Sequence, residues 1–206
     1  MKWYLLVFFL SFSAIAMCSS DTIQWGQQAS LNQRGRTIAM IGVNQGQRYL
    51  MEQDGKNRTL QIHRDSIPPK EIKLEMPTVS GETLDYHSMV MSAGGLLMIT
   101  TGRLKDPERK VIYATPFSFN GDVLDLPKEL DQVSLDRTRN KVSFGVVTSP
   151  NRQVVMVFRD SPFLKKSNDR LNFRTFDTSL DLLWEKNLKL PYEEEIYELA
   201  EYSIDN

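Results

Sequence analysis

Three stretches of the chain repeat one plan: two apolar strands joined by a tight turn, a charged break, then two more strands. The first runs T-I-A-M-I-G-V-N-Q-G-Q-R-Y-L-M-E-Q-D, breaks at Gly55–Arg58, and resumes with T-L-Q-I-H-R and E-I-K-L-E-M-P. The second runs H-S-M-V-M-S-A-G-G-L-L-M-I-T-T, breaks at Gly102–Lys110, and resumes with V-I-Y-A-T-P-F-S-F-N-G-D-V-L-D-L-P. The third runs K-V-S-F-G-V-V-T-S-P-N-R-Q-V-V-M-V-F-R-D, breaks at Ser161–Arg170, and resumes with L-N-F-R-T-F-D-T-S-L-D-L-L-W-E-K-N-L-K-L-P. Self-similarity at a period of about fifty residues marks units that cannot bury a sheet face alone and do so by stacking. The repeat therefore predicts an all-β chain of consecutive four-stranded antiparallel meanders, with units at 37–77, 87–130 and 141–191. It constrains architecture and is silent on chemistry.

Hydrophobic periodicity supports strands throughout. Leu96-Leu97-Met98-Ile99 and Val154-Val155-Met156-Val157-Phe158 are continuous apolar runs, expected where both faces of a strand are covered. Last strands alternate instead: Ile72, Leu74 and Met76 share one face, with Glu71, Lys73 and Glu75 on the other. Turn chemistry falls between the runs. Asn44-Gln45-Gly46, Ala93-Gly94-Gly95 and Ser149-Pro150-Asn151 join first to second strands, while Asn120-Gly121-Asp122 and Asp177-Thr178-Ser179 join third to fourth. Ser66–Lys70, with Pro68-Pro69, is read as the matching turn of the first unit. Long amphipathic helical patterns are lacking, and 190–202 reads as a turn followed by a strand.

The first 18 residues describe an export signal: Lys2, a short apolar core from Trp3 to Ile15, then small residues. That core is shorter than the roughly 20 apolar residues a spanning helix needs. Cys18, the only cysteine, stays open between two readings: a lipid-modified first residue, or an incidental residue beyond cleavage at Ala14-Ile15-Ala16. With one cysteine no intramolecular disulfide forms, so the exported domain, 19–206, is held by its core. Lys and Arg total 25 against 26 Asp and Glu, a balance that offers no strong field to nucleic acid. Contact with a membrane is expected only through a lipid on Cys18.

The breaks between second and third strands carry Arg103, Lys105, Arg109 and Lys110 in the second unit, and Lys165, Lys166 and Arg170 in the third. In a meander these connections share one rim. They are read either as ordinary solvated turns or as a basic rim for an acidic glycan or headgroup. Catalytic signals do not accumulate. His63 and His87 are the whole imidazole supply and sit at unlike positions of different units, so no zinc-type cluster or Ser-His-acid arrangement is legible. No catalytic, metal or cofactor residue is assigned.

The third unit's F-D-T-S-L-D-L-L-W-E-K-N-L-K-L-P-Y resembles a motif of uncharacterised exported β-propeller-like proteins and lipoproteins of Gram-negative bacteria. The matching residues are Phe176, Asp177, Leu180, Trp184, Lys186, Leu190, Pro191 and Tyr192, and Trp25-Gly26 fits the opening of the first unit. The resemblance implies an incomplete propeller of about three blades that continues beyond Asn206, since a closed ring takes four or more. Asp177 is expected to cap its turn, and Trp184 to pack between sheets, with sugar stacking as the alternative. The function expected is a non-catalytic binding or scaffold protein of the cell envelope, partnered by a protein or a glycan. It would be periplasmic, secreted, or an outer-membrane lipoprotein. The alternative is a propeller-type glycan-active enzyme whose acids lie partly in further blades.

Overall fold

Alternating side chains and glycine-bearing turns place fourteen strands, and no helix, among the residues that the computed structural model describes: 36–65, 67–135, 142–160, 168–193 and 203–205. Sheet I comprises β1 (Arg36–Asn44), β2 (Gln47–Asp54), β3 (Asn57–Arg64) and β4 (Ile67–Lys73) in that order. A two-stranded hairpin, β5 (Thr78–Val79) and β6 (Glu82–Thr83), follows. Sheet II is β7 (Asp85–Ser92), β8 (Gly95–Lys105), β9 (Glu108–Phe117) and β10 (Lys128–Ser134). Sheet III is β11 (Ser143–Thr148), β12 (Val155–Asp160), β13 (Asn168–Phe176) and β14 (Leu182–Glu193). Each is an antiparallel meander, so the all-β class and the four-stranded antiparallel sheets stand.

Local chemistry explains the turns. Gln45 and Gly46 both have positive φ (47° and 74°), the two-residue turn whose twist suits a hairpin. Asp177 Oδ1 accepts from the backbone N–H of Ser179 at 2.9 Å and of Asp181 at 2.8 Å, so it caps the turn between β13 and β14.

Sheet II is the middle layer. Leu96 and Met98 point toward sheet I and pack with Tyr49, Met51, Leu60 and Ile62. Leu97 and Ile99 point the other way and pack with Phe144, Val155, Val157 and Phe176 of sheet III. All four are at most 2 % exposed, which accounts for the unbroken apolar run at 96–99. The first strands of the three sheets lie side by side, β7 next to both β1 and β11. His87 ties two of them, its Nε2 donating to the Phe144 carbonyl at 3.0 Å.

Four local readings change. Pro68-Pro69 lies within β4, not in a turn; β4 is the edge of sheet I, where a missing N–H costs no ladder bond. The break at Gly102–Lys110 shrinks to a turn at Asp106-Pro107, because Leu104 and Val111 are buried with Leu84 and keep β8 and β9 paired out to Lys105 and Glu108. V-L-D-L-P after Asn120-Gly121-Asp122 does not form the fourth strand of sheet II; β10 begins after it, at Lys128. Trp184 does not pack between sheets II and III. It pairs with Thr175 on the face of sheet III turned away from sheet II and is 47 % exposed.

Candidate functional site

The residues expected to form a basic rim are largely engaged by their neighbours. Arg103 pairs with Glu108 across the β8–β9 hairpin, and Lys105 Nζ lies 2.7 Å from Glu82 Oε1 on β6. Arg109 donates to the Gln132 side chain on β10. Lys110 donates to the Val142 carbonyl and lies over the Phe144 ring, 5.9 Å from its centre. Arg170 belongs to β13, while Lys165, Lys166 and Cys18 lie outside the described residues.

A different place collects the features of a site. Three stacked sheets whose first strands lie together leave wedge-shaped gaps toward their outer strands. In the gap between sheets I and II lies a cleft of about 320 Å³. One wall is Ile72, Lys73, Leu74, Glu75 and Pro77 of sheet I and its exit. The floor is Met98, Thr115 and Phe117 of β8 and β9. The lip is 121–127, the connection from β9 to β10.

Hydrogen bonds hold that lip in place. Ser118 Oγ accepts from the N–H of Asn120 at 3.2 Å and of Asp122 at 3.1 Å. The tip then clamps onto sheet I: Lys70 Nζ donates to the Asn120 carbonyl at 2.8 Å, and Arg64 to its side chain at 3.3 Å. Gly121 has φ +84°, a conformation that favours glycine, and a Cβ there would stand 1.9 Å from Ile72 Cδ1, so the Ile72 side chain would have to move. Beyond the clamp, Val123, Leu124 and Leu126 are 62 %, 57 % and 80 % exposed. These three aliphatics lie together on the lip, exposed to solvent.

The cleft is apolar inside and charged at its edge. Its floor residues Met98, Phe117 and Thr115 are at most 5 % exposed, whereas Lys73, Glu75 and Asp125 are exposed. Thr115 Oγ1 has no hydrogen-bond partner.

The opposite gap, between sheets II and III, is crossed by ions. A β-bulge between Glu129 and Asp131 turns both Leu130 and Asp131 toward sheet III. Arg159 Nη1 donates to Asp131 Oδ1 at 2.9 Å and to Oδ2 at 2.7 Å. Arg174 donates to the Leu130 carbonyl, and its Nε lies 3.3 Å from Glu185 Oε2. Asn172 Nδ2 donates to Glu185 Oε1 at 3.0 Å and Asn187 Oδ1 at 2.7 Å. Burial pushes the Asp131 carboxyl above the ordinary carboxylate range, and Arg159 pulls it partly back. The network ties β10 to β12 and β13.

Sequence reasoning missed both places. The one signal for the cleft was the V-L-D-L-P segment, which is aliphatic yet follows a turn and precedes a proline-bounded strand start. Among the described residues no three His, Cys, Asp or Glu side chains are grouped to hold a metal, and no helix is long and apolar enough to cross a membrane. Compared with known proteins, the chain matches no family model, no curated protein and no solved structure.

Proposed function

We propose that this chain is an exported, non-catalytic binding or scaffold protein of the cell envelope, part of a β-propeller-like array, that takes its ligand at the cleft between sheets I and II. The observation that carries this reading is the cleft's division of labour. Its interior is apolar and its titratable groups stay at the solvated edge. Small-molecule sites have this character: an apolar cavity with a few placed polar groups. Glycoside hydrolysis asks for the opposite, a pair of facing carboxyls with one desolvated so that it keeps its proton. Glu75 and Asp125 are the carboxylates of this cleft, and both are exposed. The array reading draws on the side-by-side first strands β1, β7 and β11, and on the successive four-stranded sheets. Export draws on the leader at 1–18, with Cys18 either its lipidation point or an incidental residue beyond cleavage.

The test is a glycan array run beside a panel of chromogenic glycosides, using the full chain produced with its leader in a Gram-negative host. Binding without turnover supports the reading, and turnover of any glycoside overturns it. Mass spectrometry of the same material reports the mature N-terminus and any lipid on Cys18.

A further inference from the structure

Two opposite charges at the cleft mouth go unmatched in the fold. Lys73 on β4 and Asp125 on the lip both line the cleft, so they belong to one patch of surface. Neither makes an ion pair among the described residues. Asp125 Oδ1 accepts from the backbone N–H of Leu126 at 2.7 Å, a local bond that leaves its charge uncompensated. Beside them Val123, Leu124 and Leu126 are each more than half exposed. Aliphatics gathered together and rimmed by charge have the composition of an association surface.

The charge pattern selects the partner. The β4 side carries Arg64, Lys70 and Lys73 against Glu71 and Glu75, an excess of positive charge. Arg64 and Lys70 hold Asn120 through neutral groups, so both keep their charge. The lip at 121–127 carries Asp122 and Asp125 and no cation. A strongly acidic or strongly basic partner would match one side of the mouth and repel the other. A two-fold contact presents the same patch twice, so residue i meets j while j meets i. A patch positive on one side and negative on the other is complementary to itself under that rotation.

We propose that two copies of this chain associate about a two-fold axis at this patch, the lip of each lying on the β4 side of the other. Lys73 of each copy meets Asp125 of the other, and the aliphatics of the two lips are covered between them. Pro68 and Pro69 deny the β4 edge two N–H donors, so the copies meet through side chains rather than by extending the sheet. The proposal goes beyond the binding reading above, since it assigns the surface around the mouth. The patch is small, so association is weak, and monomers with an open mouth remain for the ligand of the cleft.

Sedimentation equilibrium of the full chain, produced as for the glycan array, tests this. A monomer–dimer equilibrium is expected with a Kd of about 50 µM, read over about 1 to about 500 µM, the weak range of small interfaces. Lys73→Glu alone and Asp125→Lys alone each set like charges opposite one another in both halves of the contact, and each should weaken the dimer at least about tenfold. An equimolar mixture of those two variants matches both pairs again and should dimerise as the unchanged chain does. That rescue arises only between copies, so neither a folding defect nor a charge effect within one chain imitates it. Leu126→Glu alters an exposed residue and should weaken the dimer about tenfold with the circular dichroism unchanged. A monomer throughout the range, unchanged association in any of the three variants, or a mixture that stays monomeric overturns the proposal. Each of these leaves glycan binding untouched, whereas glycoside turnover strikes the binding reading and leaves the dimer standing.

Discussion

Sheet II meets its two neighbours in opposite ways. Toward sheet III its outer part is crossed by ions: Asp131 meets Arg159 and Arg174, and Arg174 meets Glu185. Toward sheet I the same gap is spanned by a loop and left hollow, with Met98, Thr115 and Phe117 at its floor. The geometry that makes the gaps is shared; the occupants differ. A buried ion network adds little net stability over apolar packing, since desolvation offsets most of the attraction. What it does supply is a fixed register between two sheets, because a one-residue slip would strand charges. An apolar, methionine-rich junction has no such registration and can yield to a guest. One junction is crossed by ions, the other holds a cleft.

The difference can be broken from either side. The largest effect is expected at the ion-crossed junction. Asp131→Ala leaves Arg159 facing a buried space without its carboxylate and should cost about 3 kcal/mol, read as a lower urea midpoint. Adding Arg159→Met to that variant should return most of the loss. If Asp131→Ala is neutral, the network does not hold sheets II and III together. Next comes Gly121→Ala, at the clamp of the hollow junction. A positive φ and a contact of 1.9 Å to Ile72 make a cost of about 2 kcal/mol, together with release of the lip, seen as faster amide exchange at 120–127.

A smaller effect, of opposite sign, belongs to Thr115→Val. Removing a buried unsatisfied hydroxyl should raise stability by about 1 kcal/mol. A variant that loses stability would show that the hydroxyl has a structural partner. The gentlest probe is pH. Burial raises the phenols of Tyr86 and Tyr113 from 10.0 to about 12, with the Glu129 hydrogen bond adding to the shift at Tyr113. Folded protein therefore holds these protons more tightly than the unfolded chain. Their contribution is whole below pH 10, and is lost as pH rises through about 12. Phenolate absorbance should lag behind that of the denatured protein across this range. Tyr113→Phe should remove part of the lag, and coincident titrations would place both rings in water.

Much of the fold was legible because its signals are local. Leu96–Ile99 announced a strand covered on both faces, and Asp177 announced a capped turn. The misreadings share one cause. Arg103, Lys105, Arg109 and Lys110 looked like loop charges because composition counts charge and does not see that Leu104, between the first two, and Val111, next to the last, are anchored by Leu84. Val123, Leu124 and Leu126 looked like a strand because aliphatic alternation carries no word of its partner. Trp184 looked like packing because aromatic residues usually are buried. Which face it took depended on the register of β14 against β13.

The amino-acid order alone determined the three meanders, most of their turns and the all-β class. Those follow from side-chain alternation and turn chemistry within a few tens of residues. It also set an apolar run at 3–15 and the single cysteine. Only the tertiary structure decided where a ligand could sit. The cleft joins Ile72 and Leu74 to Thr115 and Leu126, and the ion network joins Asp131 to Arg159 and Arg174. Such meetings are fixed by how one sheet stacks on the next, and no short-range pattern in the chain encodes that distance.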